Sequence, residues 1–283
     1  MRSDAWSSPG SFSARDSTDG SPVVRISSRH PRYRSLRVRA ELARAVREGL
    51  VVPEGLIAHG RGEAFDYLLG ERTLPSARRA ERAAAQWLWN ARRPVVSVNG
   101  NVAALAADAI AGLARARPGL GVEVNLFHRT PARARAIARV LSAAGVRTVL
   151  GVRPTARIPN LPSDRAYVDA EGIYRADVCL IPLEDGDRAQ ALQRRGQRVI
   201  SIDLNPLSRT SRVADLPIID ELTRALAGIR SALDPLRGRS MGSGRFPAFG
   251  AQRARDEALR AMARWPRRPG GSSRRSPRSV ARA

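Results

Sequence analysis

Apolar residues follow two kinds of pattern, which alternate along the chain between residues 25 and 235. Short apolar runs, typical of buried strands, cover residues 95–98, 122–127, 146–152, 178–183, 199–204 and 218–219. Apolar positions at helical spacing cover residues 32–50, 62–69, 76–90, 102–116, 131–144, 187–195, 208–214 and 221–236. Short apolar strands that alternate with helices predict an α/β fold, with a parallel sheet covered on both faces and a helical segment before the first strand.

Both ends of the chain lack this periodicity. Residues 1–24 are rich in Ser, Gly, Pro and Asp, and residues 236–283 are rich in Arg, Ser and Pro. We predict that both segments are disordered, apart from a short helix that the pattern allows over residues 251–264. The chain is therefore divided into an N-terminal extension (1–24), one folded domain (25–235) and an arginine-rich tail (236–283).

Composition narrows the chemistry. The formal net charge is +23, and every strongly basic residue is arginine, since the chain contains no lysine. A P-loop and a pyridoxal enzyme both need a lysine, so both are excluded. Cys179 is the only cysteine, and its apolar surroundings predict a buried structural thiol. Because no apolar stretch approaches the roughly 20 residues of a membrane span, and no hydrophobic signal region is present, we expect a cytoplasmic protein without membrane partners.

The densest group of candidate site residues follows the predicted strand at 199–204. Asp203 and Asn205 end this strand, Pro206 breaks it, and Arg209 and Arg212 stand at the start of the next helix. The carboxyl ends of parallel strands form the ligand crevice of such sheets, and helix N-termini there bind anions. A carboxylate, an amide and guanidinium groups at this edge suit a nucleotide. A helix cap with two solvated arginines is the alternative interpretation.

Polar side chains follow three other predicted strands. They are Asn99 and Asn101 after the first strand, Arg129 and Thr130 after the second, and Glu184, Asp185 and Asp187 after residues 178–183. Because parallel strands end at one edge of the sheet, these groups predict a shared binding crevice. The acidic turn could hold Mg²⁺ through water or attract an amine, and Arg129 would reinforce an anion site at a helix capped by Thr130. Each group, taken singly, suits an ordinary turn equally well.

Two further segments carry candidate anion-binding arginines. Gly60 and Gly62 flank Arg61, which predicts a free backbone that wraps an anion while the guanidinium meets it. The loop at residues 151–165, stiffened by prolines, carries arginines such as Arg157 that suit a second anionic group, distinct from the nucleotide. The spacing of the three histidines fits no closed site, so no protein metal site is predicted.

Several segments, taken in order, are near-literal matches to one known family. They include Gly55-Leu-Ile-Ala-His-Gly-Arg-Gly-Glu-Ala-Phe-Asp-Tyr-Leu68 and Asp203-Leu-Asn-Pro-Leu-Ser-Arg209, with shorter matches at residues 30–36, 97–105, 124–127, 176–178 and 182–188. Through these segments the chain resembles the archaeal 4-phosphopantoate–β-alanine ligases, also called phosphopantothenate synthetases. The resemblance covers residues 25–235 and leaves both tails outside it.

The resemblance implies a Rossmann-like homodimer that condenses 4-phosphopantoate with β-alanine to give 4′-phosphopantothenate for coenzyme A. ATP would be cleaved to AMP and diphosphate through an acyl-adenylate, with Mg²⁺ as the expected counter-ion. The implied ATP contacts are Arg39, Arg61, Asp203, Leu204, Asn205, Arg209, Thr210, Glu221 and Leu222. Thr210 stands where the family usually has Ser, and Glu221 stands where it usually has Asn, which leaves a backbone contact at Glu221.

Charge and loop position extend these roles to further residues. Arg61 and Arg209 are the candidate catalytic cations, which would neutralise phosphate charge. The candidate substrate-binding residues are Asn99, Asn101, Arg129, Arg157, Glu184, Asp185 and Asp187. Two alternatives stay open at this point: an arginine-rich nucleic-acid-binding protein, suggested by the net charge and the basic tail, and a kinase on the same scaffold, which would release ADP.

Overall fold

A computed structural model describes residues 27–264 of the protein. Its strands are β1 (Pro94–Val98), β2 (Gly121–Val124), β3 (Ala156–Arg157), β4 (Tyr167–Val168), β5 (Val178–Pro182), β6 (Arg198–Ile202) and β7 (Leu216–Ile218). Five of them form one parallel sheet in the order β2-β1-β5-β6-β7, and β3 pairs with β4 antiparallel. The predicted α/β fold with a parallel sheet is confirmed.

Nine α-helices surround the sheet within residues 27–264. They are α1 (Tyr33–Arg47), α2 (Pro53–Leu69), α3 (Pro75–Asn90), α4 (Gly100–Ala116), α5 (Pro131–Ala143), α6 (Gly186–Arg194), α7 (Arg209–Val213), α8 (Leu222–Leu233) and α9 (Ala251–Ala263). Alternate strand residues point to opposite faces of the sheet. Val96 packs with α1, α3, α4, α5 and α8 on one face, and Val95 packs with α6 and the 156–176 segment on the other.

Cys179 lies on the second of these faces and is completely buried. Burial in apolar surroundings raises the pKa of its thiol to about 12, so the thiol stays protonated and unreactive near neutral pH. The predicted structural cysteine is confirmed.

Two predicted elements are wrong in type or extent. Residues 146–152 do not form a strand, because Leu150 makes only a single bridge to Glu123. The chain turns at once at Gly151, which has a φ of +77° and whose added Cβ would lie 2.3 Å from the Val124 carbonyl oxygen. The second helix begins at Pro53 rather than at residue 62. A proline suits the first turn of a helix, where its missing N–H costs nothing.

The predicted disorder of residues 236–283 is wrong for the part up to residue 264. The Trp87 indole N–H donates to the Pro247 carbonyl oxygen at 2.9 Å, and the Trp87 ring lies 5.8 Å from that of Phe246. Helix α9 buries Ala254 and Ala258 against the body of the protein. The folded unit therefore continues past residue 235, while residues 1–26 and 265–283 lie outside the described part of the chain.

The interface between α3 and α8 contains a buried carboxyl group, Glu81. Its Oε2 atom would lie 2.1 Å from a Cβ added at Gly228, so the glycine makes room for this side chain. Oε1 is buried and has no hydrogen-bond partner among residues 27–264. Burial, reinforced by the negative charge of Asp220, raises the pKa of Glu81 to about 7.

We expect this carboxyl group to make stability fall as the pH rises from 6 to 8. The pKa in the folded state lies above that in the unfolded state, so protonation favours folding and ionisation near pH 7 opposes it. The loss is on the order of 1 kcal/mol, because one pKa unit corresponds to about 1.4 kcal/mol. Urea unfolding of wild type and Glu81→Gln at both pH values checks it. An equal pH slope in the two proteins would contradict the assignment.

Candidate functional site

A cavity of about 610 Å³ opens at the carboxyl ends of the parallel strands. Its walls come from residues 99–101 after β1, 126–128 after β2, 183–186 after β5 and 203–205 after β6, with α2 lying across them. Of the predicted site residues, the cavity brings together Arg61, Asn99, Asn101, Glu184, Asp185, Asp203, Leu204, Asn205 and Thr210. Its volume falls within the range of roughly 300–1,000 Å³ that small-molecule sites occupy.

The turn after β6 is held by its own side chains. Asp203 accepts hydrogen bonds from the Asn205 backbone N–H at 2.9 Å and from the Ser208 hydroxyl at 2.5 Å. Ser208, rather than Asp203, caps α7 by accepting from the Ser211 N–H. The Thr210 hydroxyl donates to the Glu184 carbonyl oxygen at 2.6 Å, which ties this turn to the end of β5. Burial raises the pKa of the Asp203 carboxyl group, whose oxygens already hold the turn in place.

Helix α2 carries Arg61 to the cavity, but not in the predicted way. Gly60, Arg61 and Gly62 lie inside the helix, so their backbone N–H groups follow helical geometry and do not wrap an anion. The Arg61 side chain is exposed, lines the cavity and makes no hydrogen bond or ion pair with any described residue. Its guanidinium is thus the part of this segment that remains available to a ligand.

His59 also lines the cavity from α2. Its Nε2 atom is buried without a hydrogen-bond partner in the described part of the chain. Burial lowers the pKa of His59, against the opposing effect of the negative charges of Glu63 and Glu221. The imidazole is therefore neutral near pH 7.

Glu184 lies between two buried arginines at the end of β5. Its Oε1 atom is 2.7 Å from Arg165 Nε, and its Oε2 atom pairs with Arg188 Nη1. The three side chains, Arg165, Glu184 and Arg188, are 7%, 1% and 0% exposed. Arg188 Nη1 also donates to the Ser97 hydroxyl at 2.9 Å. Both oxygens of Glu184 are thus engaged by guanidinium groups, which leaves this carboxylate poorly placed to hold an ammonium group or Mg²⁺.

A family model described as phosphopantothenate/pantothenate synthetase matches residues 76–264. The chain belongs to this family. The matched range includes α9, in agreement with a folded unit that continues past residue 235.

Curated relatives of this synthetase-family chain carry the name 4-phosphopantoate–β-alanine ligase. The relative from Methanospirillum hungatei is 57% identical over 204 residues, which cover 72% of this chain and 83% of the relative. Those from Methanosarcina mazei and Thermococcus onnurineus are 54% and 52% identical, over 71% and 72% of this chain and 78% of each relative. The resemblance found in the sequence is confirmed, and neither alternative class, nucleic-acid-binding protein or kinase, is represented among these relatives.

Three of the ATP contacts implied for the synthetase lie outside the cavity walls. Arg39 pairs with Glu63, with 2.8 Å between Nη2 and Oε2. Glu221 caps α8 by accepting from the Thr223 N–H at 3.0 Å, and Leu222 is buried in the core. Arg39 and Glu221 both act electrostatically on His59, so they lie beside the α2 edge of the cavity.

Four more of the predicted residues also lie outside the cavity walls. Arg129 donates to the carbonyl oxygens of Gly151 and Val152 at 2.8 Å each and so holds a loop. Arg157 lies over the Tyr167 ring, 5.9 Å from its centroid. The remaining two, Asp187 and Arg209, form an exposed ion pair at 2.6 Å. The predicted Thr130 cap of α5 is confirmed, since its side chain accepts from the Arg133 N–H.

Sequence reasoning missed two arginines that do line the cavity, Arg133 and Arg165. Arg165 belongs to the 151–165 loop, whose arginines were expected to meet a second anion, yet nothing in the loop's sequence separates it from Arg157. Arg133 follows the Thr130 cap within the first turn of α5, so the position of the cap was a usable signal for it.

Proposed function

We propose that this chain condenses 4-phosphopantoate with β-alanine to give 4′-phosphopantothenate, and that it cleaves ATP to AMP and diphosphate. The observation that carries the proposal is one continuous cavity that joins the β6 end, with its nucleotide-type residues, to the ends of β1 and β5. A chain that is 57% identical to a 4-phosphopantoate–β-alanine ligase provides the substrates that this cavity would hold.

The reaction needs two polyanions side by side. A carboxylate is a poor electrophile, so the carboxylate of 4-phosphopantoate first attacks the α-phosphorus of ATP and diphosphate leaves. The amine of β-alanine then attacks the acyl carbon, loses its proton to solvent or a nearby base, and displaces AMP. Holding the reactants in this geometry can supply on the order of 7–11 kcal/mol of the barrier.

The proposed roles follow the placement of the side chains. ATP lies against Asp203, Leu204, Asn205 and Thr210 after β6, and Arg61 neutralises phosphate charge from α2. Asn99 and Asn101 face the second substrate from the start of α4. Asp185 remains a candidate for the β-alanine ammonium, because its side chain is about half exposed at the cavity wall.

Mg²⁺ is proposed as the partner of the ATP phosphates. A hard cation of this kind keeps several waters and binds substrate phosphates through one or two carboxylates. Residues 27–264 contain no group of three or more His, Cys, Asp and Glu that could hold a metal ion by itself. The Mg²⁺ would therefore arrive with the nucleotide.

The homodimer and the cytoplasmic location stay predictions of the family resemblance and the sequence. No helix in the described part of the chain is long and apolar enough to cross a membrane.

We expect AMP and 4′-phosphopantothenate, in equal amounts, when the protein is incubated with Mg²⁺, ATP, 4-phosphopantoate and β-alanine. The adenylate route breaks the bond between the α- and β-phosphates, so diphosphate rather than phosphate is the second product. Liquid chromatography with mass detection measures all of these species. Release of ADP would identify a kinase-type reaction and reject the proposal, and omission of β-alanine is the control for ATP hydrolysis alone.

A further inference from the structure

We propose that Arg165 binds the phosphate group of 4-phosphopantoate, at an anion subsite separate from the nucleotide end of the cavity. This inference rests on the proposed function for the identity of the ligand. The anion-binding chemistry itself follows from the side chains on the cavity wall.

Arg165 is a buried cation with one unused end. The residue is only 6% exposed, yet it lines the cavity. Its Nε atom pairs with Glu184 and Asp185, and its Nη1 atom donates to the Asn125 carbonyl oxygen at 3.1 Å. Its Nη2 atom makes no hydrogen bond or ion pair with any residue of 27–264, and it is not sealed off from solvent. The guanidinium is therefore fixed on one side and presents free donors to the cavity.

The surroundings of Arg165 carry surplus positive charge. Arg165 and Arg188 share the single carboxylate of Glu184, and Asp185 offsets the charge only from a half-exposed position. Arg133 also lines this end of the cavity, and its guanidinium donates to the His128 and Leu50 carbonyl oxygens. Burial, reinforced by the positive charge of Arg165, lowers the pKa of Arg133. Two poorly solvated guanidinium groups on one wall are stabilised when an anion binds between them.

The N-terminus of α4 faces the same end of the cavity. Asn99 caps this 17-residue helix by accepting from the Val102 N–H, and residues 99–101 all line the cavity. Helix N-termini favour negative charge through their free N–H groups and the helix dipole. The helix adds to the attraction of the two arginines for an anion, although it would not define a subsite without them.

Position in the sheet separates this subsite from the nucleotide. Asn125, which Arg165 contacts, follows β2, whereas Asp203 and Asn205 follow β6. In the order β2-β1-β5-β6, these ends are three strand spacings apart, or about 14 Å. An extended 4-phosphopantoate with its phosphate at Arg165 would direct its carboxylate towards the nucleotide. The reverse orientation would place the reacting carboxylate far from the α-phosphorus of ATP.

The test measures binding and turnover of Arg165→Gln, which keeps a hydrogen-bonding side chain but removes the charge. Arg153→Gln is the matched control, because Arg153 is exposed on the same loop and does not line the cavity. Isothermal titration calorimetry gives the Kd of 4-phosphopantoate, of pantoate and of MgATP for each protein. Far-ultraviolet circular dichroism and the Tm report whether the variant folds, and Arg165→Lys serves as a second variant if Gln does not fold.

We expect Arg165→Gln to weaken 4-phosphopantoate at least 30-fold, while the Kd of MgATP changes less than threefold. Pantoate, which lacks the phosphate, should bind wild type and variant equally within threefold. Arg165→Lys should recover part of the lost affinity, and Arg153→Gln should match wild type. Unchanged binding of 4-phosphopantoate to a folded Arg165→Gln protein, or a loss confined to MgATP, overturns the inference.

The same proteins separate this inference from the proposed function. Wild type that binds both ligands but releases no AMP would reject the function and leave the subsite intact. Wild type that releases AMP, together with an Arg165→Gln variant whose KM for 4-phosphopantoate is normal, would reject the subsite alone. A loss in Arg157→Gln with none in Arg165→Gln would assign the phosphate to the exposed arginine of this loop.

Discussion

Replacement of Arg61 by alanine should lower kcat/KM at least 100-fold and leave the Tm within about 2 °C of wild type. The side chain is exposed on α2, lines the cavity and contacts no described residue, so the folded state loses little with it. Removal of one group that stabilises developing charge typically costs a factor of 10² to 10³ in rate. Steady-state kinetics with varied MgATP, together with a thermal melt, measure both quantities.

Arg139→Ala is the matched control for this change. Arg139 is also an exposed helical arginine without a described partner, but it lies on α5 and does not line the cavity. It should keep wild-type kinetics, which would show that the loss in Arg61→Ala is not a general effect of lowering the net charge. Activity of Arg61→Ala within threefold of wild type would remove this arginine from the reaction.

The strands and the polar groups that follow them could be predicted because both depend on local pattern. Short apolar runs located all five strands of the main sheet to within a few residues, and the edge of a parallel sheet then gathers their last residues. Asn99, Glu184 and Asp203 reach one cavity for this reason. The start of α2 could not be predicted in the same way, because Gly55, Gly60 and Gly62 each lower helix propensity.

Packing explains what local pattern missed. Gly55 is required where Asn101 approaches, since an added Cβ would lie 2.5 Å from its Oδ1 atom. Helix α9 was expected to be isolated within a disordered tail because its buried residues are alanines, which give a weak apolar signal. The choice between Arg157 and Arg165 depends on which guanidinium meets Glu184, a residue that follows another strand. Such a contact depends on the tertiary structure.

The Glu184 cluster is expected to be the most sensitive point in the protein. Replacement of Glu184 by glutamine should lower the free energy of unfolding by about 3–5 kcal/mol, because it leaves two buried guanidinium groups without a counter-charge. Arg188 is affected most, since it is fully buried and its Nε and Nη2 atoms already lack partners among the described residues. Urea unfolding followed by circular dichroism at pH 7 measures the difference.

Asp185→Asn is the control for this prediction. Asp185 pairs with the same Arg165 at 2.9 Å, but its side chain is 48% exposed, so water replaces the lost charge and the cost should stay below about 1 kcal/mol. The double variant Glu184→Gln/Arg188→Met removes one buried cation together with the anion and should recover part of the stability. Equal losses in Glu184→Gln and Asp185→Asn would show that burial does not set the strength of these pairs. In that case the cluster would not be the rigid support on which the position of Arg165 depends.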